Sequence, residues 1–324
     1  MVKSPITLGA LLALLALGSA ACRTAGSAAD GTEATGASAQ DPQNPAAEDK
    51  PYDPRIWDKG PPDPLGVFLA KLDKSIRAWN NLTLTARTPG ERGNARKIQK
   101  VLMGEVHARE SEVIEALQSG PPRNRAIAAG ALGFSASKAA QGPLLVALGD
   151  TDPAVVQNAA LSLALLEDPK TPLEPLVEVL ASHRNGQARA NAAYALRTIL
   201  EAGAKPTADV TKVAHGALID DEPFVRAQAA LVVALAGAGE CVPDLAEMLA
   251  GREPLVVSAA AQALAALGHG DKQLLGPCAR ALVAGLASVS DEQQPMLVRA
   301  LVVLSGQNLG QDPEPWNEWA QRLP

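Results

Sequence analysis

An alanine-centred motif recurs along this chain and constrains its fold more than any other feature. Five segments contain a regular Ala-Ala pair, and a sixth segment carries a less regular version of the motif. The motifs begin at Ala128, Ala159, Ala192, Ala229, Ala260 and Val302, so successive copies are 31, 33, 37, 31 and 42 residues apart. Periods of this length are typical of stacked supersecondary units, because one unit is too small to bury its own apolar face.

Each of the first five copies is followed by a second apolar segment that is usually introduced by proline. We expect these second helices to begin at or just after Pro143, Pro172, Pro206, Pro243 and Pro277. Acidic residues precede proline where several first helices start, as in Asp152-Pro153 and Glu222-Pro223. Proline is well tolerated in a first helical turn, where its missing N–H has no intrahelical partner to lose. The pattern predicts an all-α solenoid of stacked helical hairpins over residues 92–310.

The best copies of the motif are DTDPAVVQNAA from Asp150 and DDEPFVRAQAA from Asp220. They resemble HEAT repeats, in particular the short bacterial repeats of phycobilin-lyase-type domains, and this resemblance implies a right-handed α-solenoid of the HEAT/armadillo kind. It also implies that an arginine near the start of each first helix ties neighbouring repeats together. This arginine position is occupied by Arg125, Arg189, Arg226 and Arg299. Val156 and Val257 replace it in two copies. Binding of an anionic ligand by the arginine row is the alternative role.

Such a fold favours a noncatalytic interaction scaffold or adaptor. A stack of helix pairs presents a long curved surface, and we expect the second helices to form a groove there. Acidic side chains dominate the candidate groove positions, which are Glu112, Glu115, Glu174, Glu178, Asp209, Asp244 and Glu247. They predict a groove for a basic or neutral protein segment, unless these charges serve only to keep an alanine-rich rod soluble. A lyase-like module that binds a small molecule or chromophore is the other function class that the resemblance suggests.

Aromatic residues concentrate at both ends of the predicted solenoid. The N-terminal cap, residues 51–91, contains Tyr52, Trp57, Phe68 and Trp79. We expect its helix to begin near Pro64 and to cover the first repeat. The C-terminal cap, residues 311–324, carries Trp316 and Trp319 on a short helix that we expect to start at Pro315. Capping explains these tryptophans better than stacking on a carbohydrate does.

The first 50 residues have the composition of export signals. Residues 1–21 form a predicted signal peptide with one basic residue and a short apolar centre. Cys22 then lies where a bacterial lipoprotein carries its lipid, although Ser19 departs from the leucine preferred in that pattern. Residues 22–50 form a predicted disordered tether, since no large apolar residue follows the cysteine. We therefore expect a membrane-anchored lipoprotein of the cell envelope, with cleavage after Ala20 or Ala21 and a soluble periplasmic or secreted product as the alternative.

Charge and motif content argue against several other functions. A formal net charge of −6 and a pI near 5.4 disfavour a nucleic-acid partner. The sequence contains no zinc-ligand spacing, phosphate-binding loop or nucleophile elbow, so we predict no catalytic site, metal or cofactor. Cys241 and Cys278 are expected to be reduced and buried, because stacked helices lie too far apart for a disulfide. A monomeric solenoid is expected.

Overall fold

The computed structural model describes residues 62–324, and the regular structure of that range is helical throughout. The predicted signal peptide, Cys22, the tether and residues 51–61 of the N-terminal cap lie outside the described residues. The fifteen α-helices between residues 62 and 324 are α1 (Leu65–Thr85), α2 (Pro89–Ala108), α3 (Glu110–Ser119), α4 (Pro122–Leu132), α5 (Gln141–Ala147), α6 (Pro153–Leu166), α7 (Glu174–Ser182), α8 (Gly186–Glu201), α9 (Ala208–Gly216), α10 (Pro223–Leu235), α11 (Val242–Met248), α12 (Pro254–Gly270), α13 (Lys272–Ser288), α14 (Gln294–Ser305) and α15 (Pro313–Gln321).

Two layers of helices run through the molecule. The first-helix layer consists of α4, α6, α8, α10, α12 and α14, and each of these packs against the next. The second-helix layer consists of α3, α5, α7, α9, α11 and α13, and each of these packs against the first helix that follows it in the chain. The described chain is therefore an all-α solenoid of helical hairpins, as the repeat spacing predicts.

The alanine pairs lie inside the first-helix layer. Fully buried members are Ala128, Ala159, Ala192, Ala229 and Ala260. Their small side chains allow neighbouring helices to approach closely, so that polar side chains reach the backbone of the preceding first helix. Asn158 Nδ2 donates to the Ala126 carbonyl at 2.8 Å, and Ser162 Oγ donates to the Ala129 carbonyl at 2.6 Å. These hydrogen bonds satisfy buried polar groups and fix the register between repeats.

The two layers differ in how closely their helices pack. All eleven residues from Ala190 to Leu200 of α8 are buried, so the first-helix layer is closed there. Clefts open between α5 and α7, between α7 and α9, and between α11 and α13, and another opens between α2 and the C-terminal ends of α4 and α6. A partner groove along the second helices stays a prediction.

One second helix begins well before the proline that was expected to introduce it. Helices α7 and α9 begin two residues after Pro172 and Pro206, and α5 and α11 begin within two residues before Pro143 and Pro243. Helix α13 begins at Lys272 and holds Pro277 inside it. The side chain of Asp271 accepts a backbone hydrogen bond at this end of α13 at 2.8 Å. This cap satisfies a free N–H of the first turn, so the helix starts before the proline, which then removes one internal hydrogen bond.

Helix α1 packs against α4 at the N-terminal end of the described solenoid. It extends to Thr85, and the buried side chains that it contributes include Phe68, Leu69, Leu72 and Trp79. The ring of Trp79 meets that of Phe134 edge to face, with the centroids 5.0 Å apart. Aromatic pairs in this geometry add to the stability gained from burial alone.

Helix α15 packs against α13 at the other end. Trp316 is completely buried, and its indole N–H donates to the Gly310 carbonyl at 2.9 Å. The helix begins at Pro313, two residues before the predicted start at Pro315, because the Asp312 side chain caps it. Full burial leaves Trp316 no face for a carbohydrate. No helix within residues 62–324 has both the length and the apolar character required to cross a membrane.

Candidate protein-binding surface

Ion pairs between repeats fix the turns that lead from second helices into first helices. Arg125 of α4 donates two hydrogen bonds to Asp150, at 2.8 and 2.9 Å. Arg189 of α8 donates two to Asp220, at 2.7 and 2.8 Å. The four side chains are only 12–19% exposed. Each pair connects one first helix to the turn before the next, and so links adjacent repeats.

The other two arginines are held differently. Arg226 of α10 donates to the Asp220 carbonyl at 2.7 Å and to Glu253 Oε1 at 3.2 Å. Arg299 is exposed and forms no ion pair with another residue of the described range. Three of the four arginines thus engage acidic residues of the chain itself, which leaves Arg299 as the exposed member of the row.

These contacts keep the acidic partners charged. Hydrogen bonding to Arg125 lowers the pKa of Asp150 below its ordinary value, although partial burial opposes the effect. Burial acts to raise the pKa of Asp220, but hydrogen bonds from Arg189 and from the backbone N–H of Glu222 outweigh it and the pKa is lowered. Both carboxylates are therefore ionised at neutral pH, where the inter-repeat pairs are intact.

The row of ion pairs is interrupted between α6 and α8. Val156 occupies the arginine position there and is fully buried. In the other repeats, Asp150 and Asp220 lie five residues before the first residue of the motif that opens the next first helix. His183 occupies this position before α8. Its Nδ1 accepts a hydrogen bond from the backbone N–H of Asn185 at 3.1 Å. No arginine–carboxylate ion pair therefore joins α6 to the turn before α8. A cleft of about 810 Å³ lies there between α5 and α7.

This α5/α7 cleft has an apolar side and a polar rim. Its apolar lining includes Leu145, Val146, Leu148, Pro153 and Val179. Its polar lining includes Glu178, His183, Arg184 and Asn185. The volume falls within the range of about 300–1,000 Å³ that is typical of ligand pockets. A second cleft of about 540 Å³ lies between α7 and α9, and Ser182, His183 and Arg184 line both clefts.

The structure places the seven predicted groove residues on α3, α7, α9 and α11. Glu112 pairs with Arg109, and Asp244 Oδ2 lies 2.8 Å from His215 Nε2. The remaining five are exposed and form no ion pair within residues 62–324: Glu115, Glu174, Glu178, Asp209 and Glu247. Glu178 lines the α5/α7 cleft. The set therefore follows the second-helix layer from α3 to α11, and its role in partner binding stays a prediction.

Sequence reasoning did not single out the residues that form the cleft. No motif marks Val146, although its side chain is 80% exposed at the cleft. The contact between His215 and Asp244 joins α9 to α11 across 29 residues and has no local signature either. One available signal was the pair of departures at Val156 and His183, where other repeats carry an arginine and an aspartate.

The thiols and histidines form no reactive centre in the part of the chain that the structure describes. Cys241 and Cys278 are free and buried, and burial raises the pKa of each thiol to about 11. A thiol with such a pKa is a poor nucleophile at neutral pH. No group of three or more histidine, cysteine, aspartate or glutamate side chains within residues 62–324 is arranged to hold a metal ion.

Comparison with known proteins supports the fold. Residues 110–197 match the model of the HEAT repeat family. The crystal structure of Kap121p is 16% identical, with a TM-score of 0.58 over 80% of this chain and 30% of that chain. The complex of CpcE and CpcF of phycocyanin lyase from Nostoc sp. PCC7120 is 20% identical over 81% of this chain and 99% of that chain, with a TM-score of 0.39. A designed armadillo repeat protein in complex with the peptide (KR)4 is 18% identical over 60% of this chain and 98% of that chain, with a TM-score of 0.47. No curated protein matches the sequence.

Proposed function

We propose that this HEAT/armadillo-type solenoid is a noncatalytic, monomeric scaffold that binds a protein partner on its second-helix layer. The exposed carboxylates of that layer favour a basic or neutral partner segment. We further propose that the chain is exported and is anchored to a membrane of the cell envelope through a lipid on Cys22.

One observation carries the choice of surface. In the first-helix layer, residues 190–200 of α8 are all buried and one cleft of about 390 Å³ opens at the C-terminal ends of α4 and α6, whereas the second-helix layer has larger clefts together with exposed carboxylates. Partner proteins bind where polar and apolar groups are accessible together, since buried anchors contribute most of the affinity and charges steer association. The second-helix layer provides both kinds of group over several repeats.

Charge reversal on the second-helix layer tests this function. Four exposed or partly exposed carboxylates are changed together to lysine: Glu174, Glu178, Asp244 and Glu247. Proteins crosslinked to the wild-type chain on intact cells are compared with those crosslinked to the variant by mass spectrometry. We expect the partner to be lost from the variant, because the surface changes sign.

A matched control reverses four acidic residues outside the predicted set. These are Glu105, Glu240, Asp291 and Glu314, all of them exposed. The control variant should retain the partner, since it undergoes the same change in net charge. Equal crosslinking of the wild-type chain and the first variant would refute a partner site on the second-helix layer.

The membrane anchor requires a separate test. Cells are labelled with a fatty-acid analogue, and the wild-type chain is compared with Cys22→Ala. We expect label on the wild-type chain and none on the variant, because the thioether needs the cysteine sulfur. An unlabelled wild-type chain would identify a soluble secreted scaffold instead, and would leave the partner-binding proposal intact.

A further inference from the structure

The formal charge of the chain changes sign along the solenoid. Residues 62–109, which we call the α1–α2 hairpin, contain nine lysine or arginine residues and four aspartate or glutamate residues, a net charge of +5. Residues 110–324 contain fifteen and twenty-four such residues, a net charge of −9. The α1–α2 hairpin is therefore a basic end of an acidic solenoid.

Most cations of the hairpin are not neutralised by a described carboxylate. Three of the nine, Lys71, Arg77 and Arg109, form ion pairs. The other six are exposed and form none with another described residue: Lys74, Arg87, Arg92, Arg96, Lys97 and Lys100. Glu91 accepts hydrogen bonds from two backbone N–H groups at the start of α2, and Glu105 is exposed. Within the hairpin, six cations thus stand against these two carboxylates.

Four of the six cations share one face of α2, which we call the basic face. Arg92, Arg96 and Lys100 are spaced four residues apart, so they form a stripe along the helix, and Lys97 lies beside it. At about 100° per residue, the four side chains span an arc of about 140° that contains neither carboxylate of α2. The buried residues of α2 also lie outside this arc: Ala95, Leu102 and Val106.

An exposed apolar side chain borders the basic face. Val101 is 54% exposed and lies one helical turn after Lys97. Bilayer surfaces attract helices that present basic and apolar side chains together, because the cations meet lipid phosphates while the apolar group reaches the edge of the acyl region.

We propose that the basic face of α2 lies against a bilayer that contains anionic phospholipids. The four cations contact lipid phosphates, and Val101 enters the headgroup region. The choice of a bilayer rests on the proposed anchor at Cys22: α1 is the first described helix after that residue, so a lipid there would hold this hairpin near the membrane and raise the effective concentration of its cations at the surface.

The shape of the surface also favours a bilayer over an acidic protein segment. None of the four cations lines any of the four clefts described above. Protein partners gain most of their affinity from side chains that are buried in pockets. A layer of lipid phosphates needs no pocket, since it attracts every cation that approaches it.

Vesicle binding tests this inference. The probe is the full chain with Cys22→Ala, so that no lipid on the chain contributes. Co-sedimentation compares vesicles of phosphatidylcholine alone with vesicles of phosphatidylcholine and phosphatidylglycerol. We expect at least about tenfold tighter binding to the anionic vesicles, since each cation near an anionic surface contributes about fivefold. The preference should disappear between about 0.1 M and about 1 M salt, where the screening length falls from about 10 Å to about 3 Å.

Variants then locate the contact. Arg96→Glu, Lys97→Glu and Lys100→Glu, made together, should weaken binding to the anionic vesicles at least about tenfold. The matched control reverses one arginine and two lysines elsewhere that are exposed and form no ion pair with a described residue: Arg299, Lys205 and Lys272. It should retain most of the binding, although the net charge changes equally.

A neutral set of variants guards against misfolding. Changing the same three α2 residues to glutamine removes the cations without adding negative charge, and its binding should fall between those of the unreversed chain and the glutamate variant. Arg92 is left in place, because its Nη1 donates to the Arg87 carbonyl at 2.9 Å in the turn before α2. Circular dichroism verifies that every variant is folded.

Three results would overturn this inference: equal binding to both kinds of vesicle, unchanged binding by the glutamate and glutamine variants of α2, or an equal loss in the control. Self-association at low salt that the α2 variants abolish, without any preference for anionic vesicles, would identify the acidic part of a second copy as the occupant and would also refute it. Fatty-acid label on Cys22 with equal binding to both vesicles would leave the proposed anchor intact. Unlabelled Cys22 with binding confined to anionic vesicles would refute the anchor alone.

Discussion

Replacement of Arg189 by methionine tests the structural role of the inter-repeat ion pairs. The change removes the guanidinium but retains much of the apolar stem, so it isolates the polar contact. Hydrogen bonds to charged groups contribute about 1.5–3 kcal/mol in mutational comparisons. The Arg189 and Asp220 side chains are 14% and 12% exposed, which leaves the pair partly screened by solvent. We therefore expect a loss of about 2 kcal/mol in the free energy of unfolding at pH 7, or about 4–8 °C in Tm.

The effect should depend on pH with a definite sign. The folded-state pKa of Asp220 is lowered from its unfolded value of about 3.9. The pair's contribution is therefore fully present above the unfolded pKa and is lost as the pH falls through the folded pKa. The difference between the wild-type chain and Arg189→Met should be largest at pH 6–7 and should shrink below about pH 4.

Urea unfolding followed by far-UV circular dichroism at several pH values measures both effects. Arg322→Met is the control, because Arg322 and its partner Glu318 are 77% and 63% exposed. Exposed pairs of this kind contribute less than about 1 kcal/mol. A loss for Arg189→Met no larger than the loss for the control, or an equal loss at pH 7 and pH 3, would show that this pair does not stabilise the stack.

Other packing features lead to three further expectations. Gly133→Ala should lower the free energy of unfolding in urea by about 1–3 kcal/mol, because the added Cβ would lie 2.8 Å from a side-chain atom of α6. Gly142→Ala is the control: its Cβ would meet nothing within 4 Å, so the stability should be unchanged or higher. Trp316→Ala should cost about 3–5 kcal/mol, since the side chain is completely buried, and an unchanged Tm would contradict its role as a cap. Cys241 and Cys278 should resist alkylation at pH 8 in the folded chain and react after denaturation, because both are buried and burial raises the pKa of each thiol to about 11. Mass spectrometry measures the modification, and rapid alkylation of the native chain would contradict this expectation.

Much of the fold follows from residue size and spacing. Alanine pairs, such as those that begin at Ala159 and at Ala192, recur once per repeat. A helix with small residues on one face packs closely against its neighbours. The hairpin stack was therefore predictable. The start of α13 was not, because Pro277 suggested a boundary that the cap at Asp271 overrides. The proline and the capping aspartate predict different starts for this helix, and the sequence alone does not show which of the two decides it.

The division of the helices into two layers was predictable, because close packing through alanine draws the first helices together. The contact between His215 and Asp244 was less accessible to sequence reasoning. It depends on the register between α9 and α11, which are consecutive second helices without a shared motif. As partner-binding residues, the seven acidic positions remain a prediction.

One position of the repeat joins neighbouring repeats in two different ways. Arg125 forms an ion pair with Asp150 in the turn before the next first helix. Where Val156 takes the place of the arginine, Gln157 Nε2 donates instead to Asn185 Oδ1 at 2.9 Å, so adjacent repeats stay linked without a charged pair. A cleft opens at that step, but another opens beside an intact inter-repeat ion pair. The ion pairs therefore fix how repeats are joined, and the spacing of the second helices decides where the surface is accessible to a partner.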